Sequence, residues 1–248
     1  MQELLEQLTT IMPTGLTGTV VRLEGLMVAV ADFPAPVGAQ VQIERQTGPT
    51  LAGEVVAFRD NVTLVFPAGD TTGVRFGNRV RLRRTSASVR VGRGLLGRVL
   101  DAHGAPCDGL PMPAVTERVP IYRRPPPAMS RPRIDEQLST GVRAIDGLLT
   151  CGRGQRIGIF LGSGVGKSVT MGMMARYTSA DVNVIGLIGE RGREVNDFLE
   201  RDLGPQGRAR SVVVVATSDQ PAVARVKASF TATAIAEYFR DQGQIGRA

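Results

Sequence analysis

Residues 156–171 read Arg-Ile-Gly-Ile-Phe-Leu-Gly-Ser-Gly-Val-Gly-Lys-Ser-Val-Thr-Met, and no other stretch of the chain restricts its fold as much. The apolar run Ile157 to Leu161 predicts a strand, the glycines at 162, 164 and 166 a loop, and the apolar stretch after Ser168 a helix. Glycine at every second position lets the backbone curl until successive N–H groups point inward. The positive end of the following helix then closes that concavity over an anion. In such a phosphate loop Lys167 reaches the β- and γ-phosphates of a nucleotide and the Ser168 hydroxyl holds Mg2+. The nucleotide-binding residues expected on this reading are Gly162, Ser163, Gly164, Val165, Gly166, Lys167, Ser168 and Val169. Of 30 basic residues only Lys167 and Lys227 are lysines, and a forked guanidinium does not replace a compact ammonium between phosphates. Leu161 departs from the pattern, which asks for glycine six residues before the lysine. The competing reading is a glycine-rich strand-to-helix turn with no ligand; the glycines, lysine, serine and flanking periodicity together favour the phosphate loop.

The 248 residues, 42% hydrophobic and 21% charged, have the makeup of a soluble globular chain of one or two domains. Cys107 and Cys151 have no partners at metal-ligand spacing and His103 is the single histidine, which points to a reducing, cytoplasmic setting without a structural metal. Apolar runs such as Val212 to Ala216 fall far short of the roughly 20 residues of a membrane helix. Leu4, Leu5, Leu8, Ile11 and Met12 fit one face of a short N-terminal amphipathic segment, 1–15, more suited to packing on protein than on lipid. The net charge of +7 raises the question of nucleic acid. However, Arg79, Arg81, Arg83 and Arg84 mostly alternate with Val80 and Leu82, the pattern of a strand's solvated face, and no nucleic-acid partner is expected.

Short strands punctuated by turns fill 16–91: Leu16–Leu23, Gly25–Ala31, Gln40–Glu44, Glu54–Phe58, Val62–Phe66 and Arg79–Arg83. This spacing predicts a small β-barrel domain. Its Phe33, Phe58, Phe66 and Phe76 are too dispersed for a base-stacking platform. A Gly/Pro-rich connector follows over 92–133, where eight prolines from Pro106 to Pro132 exclude regular helix or central strand. From 134 to 248 strand and helix alternate. Ser139-Thr140 would cap a helix through Ile145 and Leu148, and the loop's own helix runs toward Tyr177. A strand Val182 to Ile188, a polar helix from about Glu194 to Asp202, a strand Val212 to Ala216 and a helix from about Pro221 to Arg240 complete the pattern. Such alternation implies a parallel sheet, with ligands bound outside the carboxyl ends of its strands, where Glu190 falls.

The loop, together with Gly-Glu-Arg-Gly-Arg-Glu at 189–194, resembles the ATPases of bacterial flagellar and type III protein export, relatives of the rotary ATP synthase subunits. Supporting stretches are Thr-Gly-Val-Arg-Ala-Ile-Asp-Gly-Leu-Leu at 140–149, Met-Met-Ala-Arg-Tyr-Thr at 173–178 and Ala-Thr-Ser-Asp-Gln-Pro-Ala at 216–222. The resemblance implies an α/β architecture of an N-terminal β-barrel and a RecA-like domain that binds ATP and Mg2+. It also implies assembly as a homo-oligomeric ring, a hexamer, whose hydrolysis drives export of protein substrates. By the same resemblance Glu190 orients the attacking water, Arg191 organises the γ-phosphate region with Lys167, and the partners are stator or regulator proteins, export substrates and chaperones, with peripheral contact at the inner membrane.

After Gly243 the family continues into a strand ending in a Mg2+-associated aspartate, whereas this sequence stops at Ala248. The domain is therefore expected to be incomplete, and the activity of this chain alone doubtful. Alternatives are a catalytic subunit of a rotary ATP synthase, a ring-shaped RNA translocase, and a non-catalytic or truncated assembly subunit.

Overall fold

The computed structural model describes residues 15–162, 164–244 and 246–247. The amphipathic face at Leu4, Leu5, Leu8, Ile11 and Met12 lies outside them. Contacts divide the chain into two units, 1–88 and 89–248.

The first unit is a closed barrel. Its strands are β1 (Thr17–Glu24), β2 (Met27–Ala31), β3 (Gln40–Ile43), β4 (Leu51–Arg59), β5 (Val62–Pro67) and β6 (Arg79–Arg84). They follow the order β1-β2-β5-β4-β3-β6, and β6 pairs back onto β1 between Thr17 and Arg81, so no edge is left open. Each expected strand is present within a few residues of its expected ends, because alternation of apolar and polar residues dictates which face turns inward. In β6 this is plain: Val80 and Leu82 are buried while all four arginines point outward, Arg81 donating to Glu44 at 2.8 Å. β4 and β5 are joined by Asp60 and Asn61 alone, both at positive φ (48° and 61°), the handedness that matches strand twist. Val28, Val30, Ile43, Val55 and Val65 are fully buried inside the barrel, each contributing about 1.5–3 kcal/mol.

The second unit is built on a parallel sheet of order β12-β10-β11-β8. Here β8 is Val99–Leu100, β10 is Val182–Ile188, β11 is Ser211–Ala216 and β12 is the two-residue Gly246–Arg247. β10 and β11 run in register from Asn183 opposite Ser211 to Ile188 opposite Ala216. A separate antiparallel pair joins β7 (Ser88–Val91) to β9 (Glu117–Pro120). The Pro-rich stretch thus contributes both β8, at the sheet's edge, and β9; its prolines lie outside β8 and at the last position of β9.

The helices are α1 (Arg143–Leu148), α2 (Lys167–Tyr177), α3 (Gly192–Asp197), α4 (Gly204–Ala209) and α5 (Ala222–Asp241). One face of the sheet packs Ile185, Leu187, Val213 and Val215 against Ala175 of α2, Val195 of α3, Phe198 and Leu203. On the opposite face α5 approaches Gly186 through Ala232. Parallel sheets covered on both sides require near-continuous apolar strands, which is what Val212 to Ala216 supplies.

Three expectations are corrected. Residues 157–161 do not form a strand: Ile157, Phe160 and Leu161 are 41%, 93% and 46% exposed. A strand exists only through hydrogen-bonded neighbours, and no described strand pairs with this segment; β10 pairs on one edge with β11 and on the other with β12 at Val182 and Asn183 alone. Second, Ser139 and Thr140 do not cap α1, whose N-terminus carries no side-chain cap. They donate to Asp146 within the helix, Ser139 Oγ at 2.8 Å and Thr140 Oγ1 at 2.7 Å, so the helix's carboxylate ties down the loop. Third, the polar helix begins at Gly192, widens to π-helical turns over Phe198–Leu203 and resumes as α4.

Candidate nucleotide site

The phosphate loop keeps its turns although the expected lead-in strand is absent. Gly164 (φ 78°) and Gly166 (φ 99°) adopt the left-handed conformation with Val165 between them outside it, the alternation that gathers N–H groups into a concavity. Gly166 immediately precedes α2, whose first turn has no side-chain cap. The N–H groups at the start of that helix are therefore free of intrahelical partners and carry its positive end outward. Thr170 holds the junction, its hydroxyl donating to the Gly166 carbonyl at 3.0 Å. Lys167 is exposed, Ser168 half-buried and Val169 exposed; Ser163 lies outside the described residues. Leu161 is 46% exposed, and a Cβ at Gly162 would stand 3.6 Å from the Val165 side chain.

Beside the loop a cavity of about 390 Å3 separates Ile157 and Ile159 from β10, and Lys167, Met171, Met174 and Phe198 complete its walls. It is the gap left where residues 157–161 stand off from the sheet.

Glu190 reaches the loop from the neighbouring strand. β10 ends at Ile188, and the left-handed Gly189 (φ 78°) turns the chain. Two backbone hydrogen bonds clasp this turn to the end of β11: Gly189 N–H donates to Ala216 O at 2.7 Å, and Ser218 N–H donates to Glu190 O at 3.0 Å. From there the carboxylate extends to Lys167, with Oε1 2.8 Å from Nζ. The ammonium holds the carboxyl of Glu190 below its usual range, chiefly through this hydrogen bond. With the two side chains 46% and 28% exposed, the pair is worth about 0–1 kcal/mol to stability. Its importance is positional.

Two residues singled out separately in the sequence are therefore in contact: the cation facing Glu190 is Lys167 rather than the adjacent Arg191 or Arg193, and Glu194 is a further hydrogen-bond neighbour of the carboxyl. Arg191, 76% exposed, points instead toward Glu194 at 3.9 Å. Asp219 sits in the turn after β11, its carboxylate held below its usual range first by a hydrogen bond from Thr217. Thr170 is not legible in the sequence, since a hydroxyl bonding back along a helix leaves no spacing signal. Among the described residues no cluster of three or more His, Cys, Asp or Glu side chains is arranged to hold a metal. Ser168 stands half-buried at the second position of α2. The donor set of left-handed glycines, an uncapped helix start and one ammonium fits a polyphosphate.

Residues 141–245 match the ATP synthase alpha/beta family, nucleotide-binding domain. Over 229 residues the chain is 50% identical to the flagellum-specific ATP synthase of Bacillus subtilis, covering 92% of this chain and 52% of that protein. Over nine-tenths of its length this chain is similar to the export ATPases. It is also 48% identical to the type 3 secretion system ATPase of Xanthomonas euvesicatoria, over 91% of this chain and 51% of that one. Among solved structures, the assembled ATPase EscN in complex with its central stalk EscO, from the type III secretion system of enteropathogenic E. coli, superposes with a TM-score of 0.84. That match has 44% identity and covers 92% of this chain and 56% of the other. The chain spans about half the length of the curated relatives it matches. Barrel and parallel sheet are thus the architecture of the export ATPases. No helix among the described residues is long and apolar enough to cross a membrane.

Proposed function

We propose that this chain binds Mg-ATP at residues 162–169 and serves as the nucleotide-binding part of an ATPase of flagellar or type III protein export. The observation that carries the reading is the meeting of Lys167 and Glu190, 23 residues apart in sequence, at the mouth of a loop whose glycines are left-handed. Phosphoryl transfer asks a protein for positioning and charge neutralisation more than for a covalent nucleophile, and this loop offers both. The N–H groups of 164–169 would cradle the phosphates, Lys167 would neutralise them, and Ser168 would hold Mg2+, which supplies Lewis-acid stabilisation of the phosphate oxygens. Glu190, released from Lys167, would hold the attacking water and accept its proton. Arg191 would swing from solvent toward the terminal phosphate.

Similarity to flagellum-specific and type 3 secretion proteins supports the export reading over that of a rotary synthase. The partners proposed with it are further copies of the chain in a hexameric ring, stator or regulator proteins, and export substrates or their chaperones, in the cytoplasm and peripheral to the inner membrane. Nucleic acid is not among them. Titration calorimetry with Mg-ADP tests the reading: wild type binds, and Lys167→Ala loses at least tenfold in affinity. Equal heats from the two proteins would overturn it.

A further inference from the structure

We infer that Glu190 is a specificity-determining residue of the loop: its carboxylate occupies the Lys167 ammonium that a phosphate must take, so the loop admits polyphosphates and turns away a single phosphate. The inference rests on the phosphate-loop reading above and adds a ligand preference to it.

A carboxylate presents two anionic oxygens in a plane, much as one edge of a phosphate does, and Oε1 stands 2.8 Å from Nζ, the length of a charge-assisted hydrogen bond. The main chain that carries Glu190 is hydrogen-bonded to the end of β11 and the turn after it. The Glu190 carbonyl accepts from Ser218 N–H at 3.0 Å, and the preceding Gly189 N–H is bonded to Ala216 at 2.7 Å, so the end of the sheet delivers the carboxylate to this spot. An arriving anion must displace it from Lys167 and tolerate its negative charge nearby. A lone phosphate that loses Lys167 keeps only the N–H groups of the helix start. A polyphosphate reaches those N–H groups and the curl around Gly164 and Gly166 with one group while competing for the ammonium with the next. Displacement then leaves the Glu190 carboxylate free beside the terminal phosphate, so the residue becomes available to water only when the correct ligand is seated.

The test is calorimetric titration of the full chain with inorganic phosphate, pyrophosphate and ADP, all without metal, for wild type, Glu190→Gln and Lys167→Ala. A partly exposed ion pair of this kind sets the expected gain for Glu190→Gln at about two- to fivefold in pyrophosphate and ADP affinity, and inorganic phosphate binding becomes measurable. Lys167→Ala weakens the polyphosphates whichever residue stands at 190. If wild type binds pyrophosphate and ADP and Glu190→Gln binds them no more tightly, competition by the carboxylate is overturned while the phosphate loop stands. If neither protein binds either ligand, both readings fall.

Discussion

Asp108 accepts two hydrogen bonds from Arg98, one from Nε at 2.7 Å and one from Nη2 at 2.9 Å, in a pair whose side chains are only 3% and 11% exposed. Oδ2 of the same carboxylate also accepts from Val99 N–H, at the start of β8. The pair therefore pins the loop 101–110 to the strand that flanks β11. Removing one partner leaves the other charge without its ion pair, and Asp108→Ala should cost about 1–3 kcal/mol. Replacing both partners with apolar residues should cost less than that single change. Urea denaturation of the three proteins measures the difference.

Asp146 sets a pH dependence. Its carboxylate accepts from Thr140 N–H, Thr140 Oγ1, Ser139 Oγ and Gly141 N–H. These bonds, the Thr140 backbone bond foremost, lower its pKa from an ordinary 3.8 to about 2. A depressed value means that the folded chain holds this proton less tightly than the unfolded one. The contribution to stability is thus complete above the ordinary value and lost as pH falls toward 2. Carboxyl NMR should find the Asp146 midpoint near 2, and Asp146→Asn should lower the urea midpoint at pH 7 while flattening its decline between pH 4 and pH 2.

For Gly172 two effects oppose. It lies inside α2, where alanine is ordinarily worth about 1 kcal/mol more than glycine. A methyl group there would stand 2.5 Å from the Asp202 carbonyl oxygen and 2.7 Å from its carbon, backbone atoms that cannot rotate away. Overpacking of that kind costs about 1–3 kcal/mol, so the clash wins and Gly172→Ala is expected to destabilise. A higher melting temperature for the variant would contradict the close approach.

Phe160, 93% exposed beside Ile157 and Leu161 at 41% and 46% in a segment that pairs with no described strand, belongs to an exposed apolar stretch expected to be a contact between molecules. Phe160→Ser should leave unfolding stability within about 0.5 kcal/mol of wild type, as surface changes do, and should reduce self-association in light scattering. Unchanged scattering would assign association to another surface.

How far the sequence reveals the structure depends on whether a feature is local. The barrel strands are legible because Val80 and Leu82, alternating with arginines, carry their own orientation, and Asp60-Asn61 carries its own turn. β10 and β11 read as strands because both faces are buried. Residues 157–161 are just as apolar, but whether they form a strand is decided by a neighbour far along the chain. α4 opens on Gly204-Pro205, a pair that reads as loop although proline is well placed in a first helical turn. The site divides in the same manner. Lys167 and Glu190 are each conspicuous, whereas their contact comes from a crossover that brings the start of α2 to the end of β10.

The clasp between 189–190 and 216–218 gives the carboxylate of Glu190 a second master. Its backbone is hydrogen-bonded to the turn that leads into α5, so a displacement of that helix's near end pulls on Glu190 through two main-chain bonds and no side chain. Substitutions in the 217–220 turn that never touch a nucleotide should therefore change how firmly Lys167 is held, making the two strand ends a lever with its short arm at the phosphate loop.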